Sequence, residues 1–183
     1  MINIIILIGE SASGKSSIER ALIEHHNFEK IVSYTTRPPR QDEIDGTDYY
    51  FIDDKKFAEL LSYNFFAESA LYNGWNYGTA KQDCLDDRVL VCTPHGMRQL
   101  KKNKDLHIVS FYIKVPRADR LVQAALTRKD IDEVIRRNIS DVGQYDGLED
   151  EVDCVISNPG YFKSIRTIAG EISSHIDSRK LNG

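Results

Sequence analysis

Residues 2–17 read INIIILIGESASGKSS, an aliphatic run broken only by Asn3 that passes directly into two glycines, small hydroxyl residues and one lysine. A run of this kind fits a central parallel strand covered on both faces, where both sets of alternating side chains have to be apolar. It carries no basic leader and no small-residue cleavage pattern, so it reads as a strand and not as a signal peptide. Behind it, Gly9-Glu10-Ser11-Ala12-Ser13-Gly14-Lys15-Ser16 fits G-x-x-x-x-G-K-[ST], the Walker A pattern, with a predicted strand before it and a predicted helix after it. In such a turn the glycines let backbone N–H groups point inward at phosphate oxygens, and the following helix adds its N-terminal dipole. The pattern assigns Gly9, Ser11, Ser13, Gly14, Lys15, Ser16 and Ser17 to nucleotide phosphates, with Lys15 reaching the β- and γ-phosphates and the Ser16 hydroxyl on Mg²⁺. A loop of this kind names nucleotide binding and nothing narrower.

Working outward, helical spacing follows from Lys15, with Ile18, Ala21, Leu22 and Ile23 as the inward stripe and His25 and His26 at the surface end. KIVSY (30–34) reads as a second short strand, and the polar, proline-bearing stretch 35–48 cannot hold a helix. YYFI (49–52) and NFFAESALY (64–72) read as strands around a short helix at 54–62, and NGWNYG (73–78) as a hairpin turn with an aromatic strand, together forming a small insertion. From residue 88 strand and helix alternate: RVLVC, a helix near 96–103, HIVSFYIKV, helices near 117–126 and 131–145, VDCVI, and a last helix over 160–178 ahead of a frayed tail. That alternation predicts an α/β layered fold around a parallel sheet.

At 183 residues, 41% hydrophobic and 28% charged with a net charge of -4, the chain has the length and composition of one well-cored globular domain. A mildly acidic chain has no general attraction for nucleic acid or anionic membrane, so any bound phosphate has to meet local basic groups. No stretch reaches bilayer-spanning length. Cys84, Cys92 and Cys154 are odd in number and widely spaced, which predicts reduced structural thiols, and the five histidines form no ligand spacing, so no metal site of protein ligands is expected. These features point to the cytoplasm.

The second phosphate contact is expected in SYTTRPPRQDEIDGTDYYFI (33–52), where Arg37 and Arg40 form a pair of guanidinium forks held in a proline-stiffened loop and Tyr49 adds a hydroxyl donor. Here the chain resembles the guanylate kinase family, whose nucleoside-monophosphate loop has the form S-x-x-T-T-R-x-x-R-x-x-E-x-x-G-x-D-Y-x-F. Ser33, Thr35, Thr36, Arg37, Arg40, Glu43, Gly46, Asp48, Tyr49 and Phe51 match it. The resemblance covers most of the chain. It implies a P-loop three-layer α/β fold with a central parallel sheet, an inserted NMP-binding subdomain at about 33–79 and a short helical lid at about 127–146, the remainder being core. It further implies that Glu68 reads the guanine N1 and N2 edge, that Tyr77 touches the monophosphate, and that Thr79 reaches guanine O6. A carboxylate suits that edge because guanine presents two adjacent donors there. By the same resemblance Arg128 and Arg137 close over the ATP phosphates from a lid about two residues shorter than the family's usual form, and Asn158 lies near adenine.

The match fails in one place. Family members usually carry D-[IV]-[DE] after the strand here written RVLVC, whereas this chain has Val91-Cys92-Thr93. The resemblance implies Mg²⁺-dependent phosphoryl transfer from ATP to GMP or dGMP, with Lys15, Arg37, Arg128 and Arg137 as catalytic groups, ATP and Mg²⁺ as cofactors, and a monomer or homodimer that binds neither nucleic acid nor membrane. A kinase for another nucleotide or phosphorylated acceptor is the nearest alternative. A guanylate-kinase-like binding module with weak or no catalysis is the next, and the intact Gly9, Gly14, Lys15 and Ser16 argue against it.

Overall fold

The computed structural model describes residues 2–127 and 131–181. Strand β1 (Ile2–Ile8) lies at the centre of a five-stranded sheet, between β7 (Arg88–Val91) and β8 (Leu106–Lys114), with β2 (Glu29–Lys30) and β9 (Cys154–Ser157) at the edges and every pairing parallel. Ile4, Ile6 and Ile8 pack on one face with Met97 and Leu100 of α3 (Pro94–Leu100), while Ile5 and Leu7 pack on the other with α1 (Lys15–His26) and α6 (Ile165–Leu181). Two buried faces explain why β1 is apolar at nearly every position. Each fully buried isoleucine contributes about 1.5–3 kcal/mol.

A second, four-stranded sheet holds β4 (Tyr50–Phe51), β3 (Tyr34–Thr35), β6 (Trp75–Ala80) and β5 (Phe66–Tyr72) in that order, with β5 and β6 joined as an antiparallel hairpin. Helix α2 (Asp54–Ser62) starts at Asp53, whose side chain accepts from the Lys56 N–H, and it closes this sheet by stacking Phe57 on Phe66 with ring centres 4.7 Å apart. Helices α4 (Arg117–Thr127) and α5 (Ile131–Ser140) pair with each other, and Arg120 of α4 reaches the phosphate-loop candidate at 9–14 through the Ser11 carbonyl.

Several local expectations are corrected. KIVSY is not one strand: Glu29–Lys30 pairs with β7 while Tyr34–Thr35 belongs to the second sheet, and the segment between them crosses over with Ile31 buried in the first core. Ile23 lies outside the buried stripe of α1, at 36% exposure. Strand β5 begins at Phe66, after Asn64 turns the chain with φ +55°. Helix α3 begins earlier, at Pro94, because the Thr93 hydroxyl caps it by accepting the Gly96 N–H. Helix α5 stops at Ser140, ahead of Gly143 at φ +78°. Residues 159–161 form a separate turn in which Gly160 and Tyr161 both have positive φ, so the last helix begins at Ile165. That helix continues past residue 178 to Leu181, and Arg179 and Lys180 in it pair with Asp153 and Asp87.

Candidate active site

At the C-terminal ends of β1 and β7 a cavity of about 670 Å³ opens between the two sheets, lined by residues of the phosphate loop, the second sheet and α5. Clefts outside the carboxyl ends of parallel strands are where such folds bind ligands. Gly9, Ser11, Gly14, Lys15, Ser16 and Ser17 all line it. A Cβ on Gly9 would sit 2.6 Å from the Ile113 carbonyl oxygen and 2.7 Å from Ser13 Oγ, so only glycine lets the loop pass so close to β8. Ala12 and Gly14, at φ +66° and +96°, turn the loop into α1. Lys15 Nζ folds across it, donating to the Glu10 carbonyl at 2.8 Å and to Ser13 Oγ at 3.4 Å, with Ser13 buried behind the loop.

Opposite stand Arg37 and Arg40, lining the same cavity as Lys15. Arg37 is 6% exposed and donates from Nη2 to both Glu43 carboxylate oxygens at 2.8 Å, while Arg40 Nη1 donates to Glu43 Oε1 at 3.2 Å. One carboxylate therefore aligns both forks and cancels one of their two charges. The Arg37 guanidinium also lies over the rings of Tyr49 and Phe51, at 5.5 and 5.7 Å. Burial pushes the Tyr49 hydroxyl up to about 12, with Tyr77 adding to the rise, so it remains a donor at neutral pH. The enclosing cleft, followed by the like charges of Arg137 and Arg37, lowers the pKa of Arg40. Three guanidinium groups thus converge on one space.

Deeper in the cleft Glu68, 5% exposed, accepts from Thr79 Oγ1 at 2.7 Å, and Ser33 Oγ lies 3.3 Å from the same Thr79 oxygen. Thr79 has one hydroxyl proton, so Ser33 is the donor in the second contact. Burial drives the Glu68 carboxyl up to about 7, against the lowering effect of the Thr79 hydrogen bond. Glu68 and Ser33 line the cavity directly, whereas Thr79 is fully buried behind them. Tyr77 lines the wall beside Tyr49, with ring centres 5.9 Å apart. Val91, Cys92 and Thr93 form the wall where the resemblance would have placed acids.

On the third side Arg137 lines the cavity while its Nε donates to Glu133 Oε1 at 2.6 Å. Hydrogen bonding from Arg136 first, and then from Arg137, holds Glu133 down to about 2 despite partial burial. Arg128 lies outside the described residues. Asn158 stands behind the wall with its amide spent locally, Nδ2 donating to the Lys163 carbonyl and Oδ1 accepting the Lys163 N–H. It shapes the turn from which Tyr161, Lys163, Ser164 and Ile165 reach the cavity. Those four, with Tyr72, Gln123, Thr127 and Tyr145, escaped the sequence reading. The Asn158-Pro159-Gly160 turn signal, which the expected helix from residue 160 passed over, is what could have found the first four.

The phosphate groups of a nucleotide fit this loop, because Gly9 and Gly14 leave backbone where a Cβ would intrude or be strained and Lys15 stands at the same wall. Among the described residues no group of three or more His, Cys, Asp or Glu could hold a metal ion. Ser16 lines the same wall, where a Mg²⁺ ion carried by nucleotide phosphates would meet a hydroxyl.

The guanylate kinase family profile matches residues 1–174 of the chain. A guanylate kinase of a Nostoc species is 32% identical over 173 residues, covering 90% of this chain and 86% of that protein. One from Rickettsia bellii is 33% identical over 174 residues, covering 90% of each. The crystal structure of guanylate kinase from Anaplasma phagocytophilum superimposes with a TM-score of 0.72 at 28% identity, over 97% of this chain and 86% of that one.

Proposed function

The chain belongs to the guanylate kinase family, and from that premise we propose that the cavity transfers the γ-phosphoryl group of ATP to GMP or dGMP. The family is one of nucleoside monophosphate kinases, so the chain is a phosphotransferase acting on a nucleoside monophosphate. The observation that carries the residue assignment is the placement of Lys15, Arg37, Arg40 and Arg137 around one cavity.

In this reading the amides of the phosphate loop and Lys15 hold the donor's phosphates, and Asn158 supports the adenine side only through the turn it braces. Arg37, Arg40, Tyr49 and Tyr77 hold the acceptor's phosphate, and Glu68, backed by Thr79 and Ser33, accepts from the guanine edge. An acceptor phosphate oxygen attacks the γ-phosphorus, the bond to the departing diphosphate breaks, and no protein base is needed because the nucleophile is already anionic. Arg40 and Arg137 neutralise the charge shared between the two phosphates, and substrates that fill the cleft displace the water that would compete. Mg²⁺, when bound through Ser16 and the phosphates, withdraws further charge from the transferred group. A cytoplasmic setting suits a chain that consumes ATP. No helix among the described residues is long and apolar enough to cross a membrane.

A second reading rests on Val91 and Thr93. With Glu68 as the one carboxylate on the base-reading wall among the described residues, preference for guanine is weaker than a two-acid wall would provide. A coupled ADP-release assay against GMP, dGMP, AMP, CMP, UMP and dTMP separates the two readings. The first predicts turnover with GMP or dGMP well above the rest, lost in Lys15→Met. Comparable rates with several bases would establish the second, and no ADP release with any acceptor would refute both.

A further inference from the structure

Asp141 is a carboxylate that the phosphoryl-transfer chemistry does not use, and its side chain is 3% exposed. It lies just past the end of α5, one turn beyond Arg137, and its N–H donates to the Arg137 carbonyl. Its two oxygens reach two other parts of the molecule. Oδ2 accepts the Ser11 N–H of the phosphate loop at 2.7 Å, and Oδ1 accepts the Tyr72 hydroxyl, at the end of β5, at 2.6 Å. Its carboxylate shares Arg120 with Glu10: Arg120 Nη1 stands 3.8 Å from Asp141 Oδ2 and also donates to the Ser11 carbonyl at 3.3 Å, while Nη2 donates to Glu10 Oε1 at 3.3 Å. Beside this contact Arg136 stacks on Trp75 at 5.6 Å, so both strands next to the hairpin turn are tied to α5.

We infer that Asp141 is a positioning residue that couples the seating of the monophosphate-binding hairpin to the shape of the phosphate loop, through the Tyr72–Asp141–Ser11 contacts. This rests on the phosphoryl-transfer reading and extends it. Ser11 lines the cavity, so an amide held by Asp141 sets how the loop presents its neighbouring N–H groups. Tyr72 lines the cavity from the second sheet, and its hydroxyl reaches Asp141 with the hairpin resting beside α5. An acceptor that seats the hairpin therefore completes the contact that orders the loop, and a donor that orders the loop favours the seated hairpin. Such coupling is reciprocal: each substrate tightens the other by the same factor. A hydrogen bond to a buried carboxylate accounts for a factor of about ten or more.

The test is a calorimetric titration of GMP and of a non-hydrolysable ATP analogue with Mg²⁺, each alone and each with the other saturating, on the full chain and on Tyr72→Phe. That variant keeps the ring and removes the hydroxyl. The wild type is expected to show mutual tightening, and Tyr72→Phe to lose about tenfold of it while its affinity for the analogue alone changes less than about twofold. Asp141→Asn, which keeps an acceptor for Ser11 but no charge, is expected to lose coupling as well, and it carries the test if Tyr72→Phe fails to fold by circular dichroism. A substitution acting only through stability would lower the melting temperature without moving the coupling factor. Coupling that survives in the folded variant, or a wild type that binds both substrates independently, would overturn the inference. A wild type that binds no GMP would instead count against the kinase reading itself.

Discussion

At the scale of single residues, the base-reading role proposed for Glu68 would connect recognition to stability. Its carboxyl takes up a proton at about 7 in the folded chain against an ordinary value of 4.5, chiefly because burial disfavours the charge. Between those pH values the folded state holds a proton that the unfolded state has released. Stability on this account falls as pH rises from about 4.5 to about 7, by an amount on the order of 3 kcal/mol. Glu68→Gln, which cannot ionise, is therefore expected to raise the melting temperature by several degrees at pH 8 and to leave it nearly unchanged at pH 4.5, as a thermal melt series would read. Function runs the opposite way. Two guanine donors need an ionised acceptor, so KM for GMP in the wild type should climb about tenfold per unit as pH falls below about 7, and a flat profile would remove Glu68 from base recognition. Arg37 shows a comparable balance: its charge was legible in the sequence, but its neutralisation by Glu43 was a matter of geometry.

At the scale of elements, local turn chemistry was the most legible feature. Asn73-Gly74 announces a two-residue hairpin, and both residues have positive φ, at +55° and +84°. A Cβ on Gly74 would meet no atom within 4 Å, so Gly74→Ala isolates the backbone cost. Urea denaturation is expected to show a loss of about 1–2 kcal/mol. Elements whose ends depend on distant partners were read less well. KIVSY has the composition of one strand, yet Ser33 is drawn toward Thr79 and Ile31 toward the sheet core, 46 residues separating the first pair. The helix expected over 131–145 ends at Ser140, and Asp141 beyond it bonds to Ser11, 130 residues away, and to Tyr72, 69 residues away. Periodicity carries no information about such contacts.

At the scale of the whole molecule, two sheets meet across one cavity, so ligand binding and folding are linked. GMP at about one hundred times its Kd should stabilise the protein by about 2.7 kcal/mol. In Arg37→Ala, which removes a fork from the acceptor side and leaves Glu43 paired with Arg40 alone, the thermal shift at the same GMP concentration should fall to less than half. An unchanged shift would take Arg37 out of the acceptor site. The sequence by itself determined the central strand, the phosphate loop, the guanidinium pair and the family, because each is written in residues close together in the chain. A strand's two buried faces, a loop's glycines and a proline-held pair of arginines are local requirements, and local patterns record them. Only the tertiary structure decided that Val91, Cys92 and Thr93 line the same cavity as Glu68, that Asn158 braces a turn behind it, and that Tyr72, Asp141 and Ser11 meet. Those meetings are set by how the second sheet and α5 pack against the first sheet, an arrangement stabilised by many small contacts between residues far apart in the chain.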